Sequence, residues 1–161
     1  MTDHEELVDT RVRDVLRTKG TLKEKGDVLT AAPTDTVYDC IDAMVDRDIG
    51  SIVVMSDGDI AGIFTERDYM RDIALKGRSS PDTEVQEVMT REVATAHKDD
   101  QLEECLDRMT DLKCRHLPVV DENGDLTDII SMRDCAEQIA ESAQSGAMQI
   151  VNYVTGQYPK L

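Results

Sequence analysis

The chain runs through one pattern twice, and this doubling constrains its fold more than any other feature. Residues 28–68 and residues 93–134 carry the same landmarks in the same order. In each, a Thr follows a Val by two positions: Thr30 after Val28, Thr95 after Val93. A helical apolar stripe comes next, Val37, Ile41, Met44 and Val45 in the first copy and Leu102, Leu106 and Met109 in the second. Short β-rich runs then lead into hairpin turns at Asp57-Gly58 and Asn123-Gly124. Each copy closes on an apolar strand running into Thr/Ser-x-x-Asp, Thr65 to Asp68 and Ser131 to Asp134. The offset is 65 residues early and 66 late, so the second hairpin holds one extra residue. Each unit reads β-α-β-β-α, and two such copies are expected to pack as pseudo-symmetric halves around a cleft suited to a ligand.

The element boundaries follow from periodicity and punctuation. The first repeat is expected to hold a helix over 35–47, strands over 51–55 and 60–64, and a helix over 65–76 stopped by Gly77. The second is expected to hold a helix over 100–111, strands over 117–120 and 126–130, and a helix over 131–143. Ahead of them, Leu7, Val8, Val12, Val15 and Leu16 space a lead-in helix that Gly20 ends. Between the copies, Gly77-Arg78-Ser79-Ser80-Pro81 reads as a connector. Its last part, Val85 to Met89, repeats the apolar spacing of Val12 to Leu16. The organisation is then a lead-in helix (1–20), repeat one (21–77), a linker (78–90), repeat two (91–142) and a helical tail (143–161). That tail carries an apolar stripe through Ala147, Ile150 and Val154 and is expected to serve in part as an oligomer contact.

Composition narrows the function. The 161 residues suffice for one compact domain or two small ones. One Phe, four Tyr and no Trp leave an aliphatic core and no stacking platform for single-stranded nucleic acid. A net charge of −16 would repel a phosphate backbone, so nucleic acid is not an expected partner. The excess is chiefly Asp, 22 against 12 Glu, with only 7 Lys. Such a surface suits a high-salt cytosol, where screening removes self-repulsion; an ordinary acidic protein kept soluble by charge is the other reading. No apolar run approaches the ~18–20 residues of a membrane span. The acidic start MTDHEELVDT lacks a signal sequence, so a cytoplasmic location is expected. The four cysteines form no C-x-x-C pair, and Cys40 and Cys105 occupy the same helical position in the two copies, as small buried hydrophobes would. The three histidines do not cluster, and no nucleophile–base set, metal spacing or phosphate loop occurs. No catalytic residue and no metal site are assigned, and an enzyme is not expected.

The β-α-β-β-α unit, its DG or NG hairpin and the strand running into Thr/Ser-x-x-Asp resemble the CBS domain, present here as a tandem pair over roughly residues 10–142. TERDYMRDIALKGRSS and CRHLPVVDENG are similar in particular to stand-alone two-CBS proteins. The resemblance implies an α/β (α+β) fold of two repeats packed through their sheets, with N- and C-terminal helices. It further implies a homodimer, with a higher oligomer open through the C-terminal helix, acting as a non-catalytic regulatory module on a regulated protein that the sequence does not name. The implied ligand is an adenosine nucleotide, AMP, ADP or ATP, or NAD. The other reading is a structural or interaction protein with vestigial sites.

The resemblance also implies roles. Thr65, Asp68, Ser131 and Asp134 would hold ribose; Thr30, Ala31, Thr95 and Gly62 would lie on the adenine side. Arg67, Arg115, His116 and Arg133 would meet phosphate. The chemistry is suitable: an ionised Asp can accept two hydrogen bonds from a ribose diol, and Gly62, without Cβ, admits a ligand or a backbone. The local alternative is a capping box, with Thr or Ser at the N-cap and Asp at N3, contributing ~1 kcal/mol with no ligand at all. For each Arg the alternative is a surface ion pair. Asp128 stands where the first copy has Gly62. It would crowd a ligand, point away, or pair with Arg133, and in every case the two sites are expected to be non-equivalent.

Overall fold

The computed structural model describes residues 9–18 and 28–142; the expected tail over 143–161 and the start of the lead-in helix lie outside them. The elements are α1 (Val12–Thr18), β1 (Thr30–Ala31), α2 (Val37–Asp46), β2 (Ser51–Ser56), β3 (Asp59–Thr65), α3 (Glu66–Asp68), α4 (Leu102–Asp111), β4 (His116–Val120), β5 (Leu126–Ser131) and α5 (Met132–Ser142). The fold is mixed α/β, with the predicted β-α-β-β-α order in repeat one and, apart from its first strand, in repeat two.

Each helix forms where its apolar spacing and its start signal agree. Thr36 caps α2 by accepting the Asp39 N–H at 3.1 Å, and Val37, Cys40 and Met44 then face inward. Leu102, Cys105, Leu106 and Met109 do the same on α4. The first repeat's sheet has the order β1-β2-β3, with β1 parallel and β3 antiparallel to β2. Asp57 and Gly58 both sit at positive φ, +52° and +82°, the conformation a two-residue hairpin turn requires. The second sheet has two strands, β4-β5, and the counterpart of β1 is reduced to a single parallel bridge, Ala96 to Val119. The helix expected over 65–76 is present but irregular: α3 passes into a π-helix, Tyr69–Ala74. Gly77, at φ +63°, follows as its stop.

The described chain divides into two units, and the division does not follow the order of the repeats. One unit joins 9–18 to Ala94–Glu122 and the residues from Asp128 on; the other contains 28–93. The lead-in segment before repeat one therefore packs with repeat two, and the stretch before repeat two packs with repeat one. Matched hydrogen bonds hold both. Leu102 N–H donates to Thr10 O and Val37 N–H to Thr83 O, each at 2.9 Å. Val12 N–H donates to Asp100 O at 3.0 Å, Val85 N–H to Asp35 O at 2.8 Å. Val12 and Val85 are fully buried, each in its own aliphatic core. The stretch 78–90, read from its Gly, Ser and Pro as a linker, is thus core in its second half: Val85, Val88 and Met89 are buried beside Phe64 and Ile73. The reason is physical. Val85, Val88 and Met89 bring an apolar stripe that repeat one's helix and sheet need to cover them, as Val12, Val15 and Leu16 do for repeat two.

Cys40, Cys105 and Cys135 are buried and Cys114 is half-buried, all as free thiols. Burial pushes the Cys40 thiol up to about 12 and the Cys105 thiol to about 11, which removes them from thiolate chemistry at neutral pH.

Candidate functional site

In repeat one the candidate site begins where β3 ends. Thr65 is extended (φ −125°, ψ 166°) and the chain turns into α3 at Glu66, so the first helical N–H groups lack intrahelical partners. Gly50 O accepts the Glu66 N–H at 3.1 Å, and Thr65 and Asp68 cap each other reciprocally. Thr65 N–H donates to Asp68 Oδ2 at 3.0 Å, and Asp68 N–H donates to Thr65 Oγ1 at 3.3 Å. This is the capping box that the local sequence allowed. The carboxylate does more than cap, because it is nearly buried, with the residue 4% exposed. The Thr65 hydroxyl donates to Oδ2 at 3.2 Å, the Thr90 hydroxyl lies 3.3 and 3.4 Å from Oδ1 and Oδ2, and Arg71 Nη2 donates to Oδ1 at 2.7 Å. A carboxylate offers about four acceptor positions. Thr65 N–H, the Thr65 and Thr90 hydroxyls and Arg71 fill them.

Thr90 reaches Asp68 because its backbone pairs with β3. Ile63 N–H donates to Thr90 O at 2.9 Å and Thr90 N–H returns to Ile63 O at 2.8 Å. That pairing explains Gly62. A Cβ there would stand 2.7 Å from Met89 Sδ and 2.8 Å from Thr90 O, closer than real contacts allow. The sequence left open whether a ligand or a backbone approaches Gly62; in this structure Met89 and Thr90 do. Across the sheet, Ala31 pairs with Val54 and Val54 with Gly62, so Ala31 and Gly62 share one row on either side of β2, with the exposed Thr30 beside Val53. Arg67 is exposed and has no ion-pair partner among the described residues, so its charge is available at the helix start.

Repeat two keeps the cap. Ser131 N–H donates to Asp134 Oδ2 at 2.8 Å and Asp134 N–H to Ser131 Oγ at 3.0 Å. Its surroundings differ. Arg108 on α4 donates to Thr95 O at 3.1 Å and to Asp100 Oδ2 at 2.8 Å, so the backbone carbonyl of Thr95 is already engaged. Asp128 is buried and accepts the Ile129 N–H at 2.7 Å. Arg133 pairs with Glu137 at 3.0 Å across one helical turn, rather than with Asp128. Arg115 is exposed, without an ion-pair partner among the described residues, and its carbonyl accepts the Met132 N–H at 2.8 Å, which sets it beside the start of α5. His116, half-buried, opens β4 next to it.

The structure thus brings Thr65 and Asp68 into direct contact, and Ser131 and Asp134 likewise. It leaves Arg67 and Arg115 unengaged, and it gives Arg133 the bland role of a surface pair. Two residues hold Asp68 in a way the sequence did not assign: Arg71, which its charge had made only a candidate for phosphate, and Thr90. Arg71 had a legible signal, three positions after Asp68 on a helix and therefore on its face. Thr90 had none, since its place depends on pairing with a strand remote in sequence. Arg71 also bridges Asp72, which receives Lys76 at 3.2 Å. The Arg71 hydrogen bond, with help from Lys76, holds the Asp72 carboxyl below its usual range against a partial burial effect. Among the described residues no group of three His, Cys, Asp or Glu is placed to hold a metal, and no helix is long and apolar enough to cross a membrane.

Comparison with known proteins decides the family. The CBS domain model matches twice, at residues 12–75 and 85–141. The chain belongs to the CBS domain family. Among its CBS relatives is the mitochondrial CBS domain-containing protein CBSX3 of Arabidopsis thaliana, 32% identical over 92% of this chain and 74% of that protein. Its fold is similar to that of a putative signal-transduction protein with CBS domains from Burkholderia ambifaria, 37% identical, at a TM-score of 0.74 over 82% of this chain and 95% of the other. A CBS domain protein of Pyrobaculum aerophilum, solved in complex with AMP, shares the fold at 20% identity and a TM-score of 0.64, over 78% of this chain and 89% of that one.

Proposed function

We propose that this chain is a non-catalytic regulatory module that binds an adenosine nucleotide, AMP, ADP, ATP or NAD, at the capped strand ends of its CBS repeats and signals by a change of conformation. One observation carries the reading. In each repeat a strand delivers a hydroxyl and a carboxylate, Thr65 with Asp68 and Ser131 with Asp134, to a helix start, a pairing suited to a ribose diol. The AMP bound by the Pyrobaculum aerophilum CBS protein supports the ligand class. Arg67 and Arg115, exposed and unengaged among the described residues, are the cations available for phosphate. Repeat one is the stronger site, because in repeat two Arg108 occupies the Thr95 carbonyl on the expected adenine side. Signalling is then a population shift that the ligand drives by binding one conformation better.

The second reading, a structural protein with vestigial sites, is favoured by one feature: every acceptor position of Asp68 is already filled from within. A thermal-shift series separates the two. A nucleotide at 100-fold its Kd stabilises a protein by ~2.7 kcal/mol, which is several degrees at this size. A shift with AMP, ADP, ATP or NAD supports the sensor; no shift with any of them or with S-adenosylmethionine, in dilute buffer and in molar KCl, leaves the structural reading.

The proposed module is a homodimer. Tyr38, Ile41 and Val45 lie on one face of α2, with Val45 74% exposed, and Leu75 beyond the π-helix is 84% exposed. Such side chains on so acidic a surface suit a second copy. With −16 charges per chain, that association should tighten with salt. Light scattering should give a dimer that Val45→Glu dissociates. The Asp-rich, Lys-poor surface further supports work at high ionic strength, and a melting temperature that rises steeply into molar KCl is the expected result.

A further inference from the structure

We infer that Arg71 is a latch on the ribose carboxylate of repeat one, and that the ligand must displace it to bind. The inference rests on the proposed nucleotide reading and adds a regulatory residue to it. A diol needs acceptor positions on Asp68, and all are in use. Thr65 N–H and its hydroxyl belong to the cap, and the Thr90 hydroxyl is fixed by the pairing of its own backbone with Ile63. Arg71 is the one that can leave. Its side chain is 57% exposed against 6% for Asp68, so its departure returns a cation to water without opening the core. It also has somewhere to go, because Nη2 lies 3.1 Å from Asp72 Oδ2 and Nε 3.3 Å from both Asp72 oxygens. Swinging away from Asp68 exchanges one carboxylate for fuller contact with another.

The matching position of repeat two carries no arginine. With the late offset of 66, the position of Arg71 in repeat two is Glu137, an acid that pairs with Arg133. Arg71 also lies within the π-helix Tyr69–Ala74, where Leu75 N–H reaches back to Met70 O at 3.0 Å. Such wide turns recur at functional sites. Release of the Asp68 tie would act directly on this turn, so occupancy and helix geometry are coupled.

The test titrates AMP, and in parallel ATP, by calorimetry into an Asp134→Ala parent and into the same parent carrying Arg71→Gln or Arg71→Lys. Arg71 is more than half exposed, so solvent weakens its hold on Asp68, and Arg71→Gln should tighten binding by about 2–5-fold in dilute buffer. Arg71→Lys should stay near the parent, and molar KCl should erase the difference between Gln and Arg. A purely structural role for Arg71 would not produce a gain that salt removes. Equal or weaker binding by Arg71→Gln, with the parent binding normally, overturns the latch alone; weaker binding would mean that Arg71 touches the ligand. No binding by the parent overturns the nucleotide reading and the latch with it.

Discussion

Gly62 separates a packing requirement from a ligand requirement, and Gly62→Ala tests which one holds. A methyl at this position would meet Met89 Sδ at 2.7 Å, Met89 Cγ at 2.9 Å and Thr90 O at 2.8 Å. The methionine end can move aside, since its side chain is unbranched and adaptable. The Thr90 carbonyl cannot move alone, because it accepts the Ile63 N–H at 2.9 Å and its own N–H is returned to Ile63. The substitution therefore either breaks that pair or bends β3. Overpacking of this sort costs ~1–3 kcal/mol, which corresponds to a fall of roughly 2–12 °C in melting temperature for a chain of this size. Urea unfolding should show the midpoint falling at nearly constant slope. The Thr90 hydroxyl should also withdraw from Asp68, so amide exchange should quicken at Ile63 and Thr90 before the rest of the sheet. A variant as stable as the parent that has lost nucleotide binding would refute the packing argument and restore Gly62 as a surface for ligand approach.

The exchanged lead-ins predict that Val12→Ala and Val85→Ala each destabilise by roughly 2 kcal/mol, from two buried methyls and the cavity they leave, measured by urea unfolding. Little loss from Val85→Ala would mean that 83–89 is a linker after all. Native protein treated with iodoacetamide at pH 8 should react at half-buried Cys114 first, with Cys40, Cys105 and Cys135 modified only after unfolding. Fast labelling of Cys40 would contradict its burial. Burial pushes the Asp100 carboxyl up, but the Arg108 hydrogen bond and the His97 N–H outweigh it and leave it below its usual 3.8. A depressed carboxylate stabilises the fold above its unfolded value and loses that contribution as pH falls through its folded value. The stability advantage of the parent over Asp100→Asn should therefore be full at neutral pH and close as pH falls below 3.8, in urea melts across that range.

Much of this was legible because the controlling interactions are local. Helix α2 follows from Thr36 and the spacing of Val37, Cys40 and Met44, and the hairpin from Asp57-Gly58 at positive φ. The caps at Thr65 and Ser131 follow from a hydroxyl three residues before a carboxylate. What was hidden depends on distant pairings. The stripe of Val12, Val15 and Leu16 resembles that of Val85, Val88 and Met89, so apolar spacing alone says that each must be covered but not which repeat covers it. Gly62 advertised close approach, but its visitor is set by the Ile63–Thr90 bridge. Asp128 read as crowding a ligand, pointing away or pairing with Arg133; Arg133 pairs with Glu137 instead, and the Arg108 bond to the Thr95 carbonyl, which joins α4 to the stretch before it, had no local signal.

The most direct test of the account is a calorimetric titration of AMP, ADP, ATP, NAD and S-adenosylmethionine into the parent, Asp68→Ala and Asp134→Ala proteins, each first checked for a native circular dichroism spectrum. The account predicts saturable binding of at least one nucleotide, weakened more by Asp68→Ala than by Asp134→Ala. Folded parent protein that takes up none of the five in dilute buffer or in molar KCl would contradict it, and would leave the Thr65 and Ser131 boxes as helix caps and nothing more.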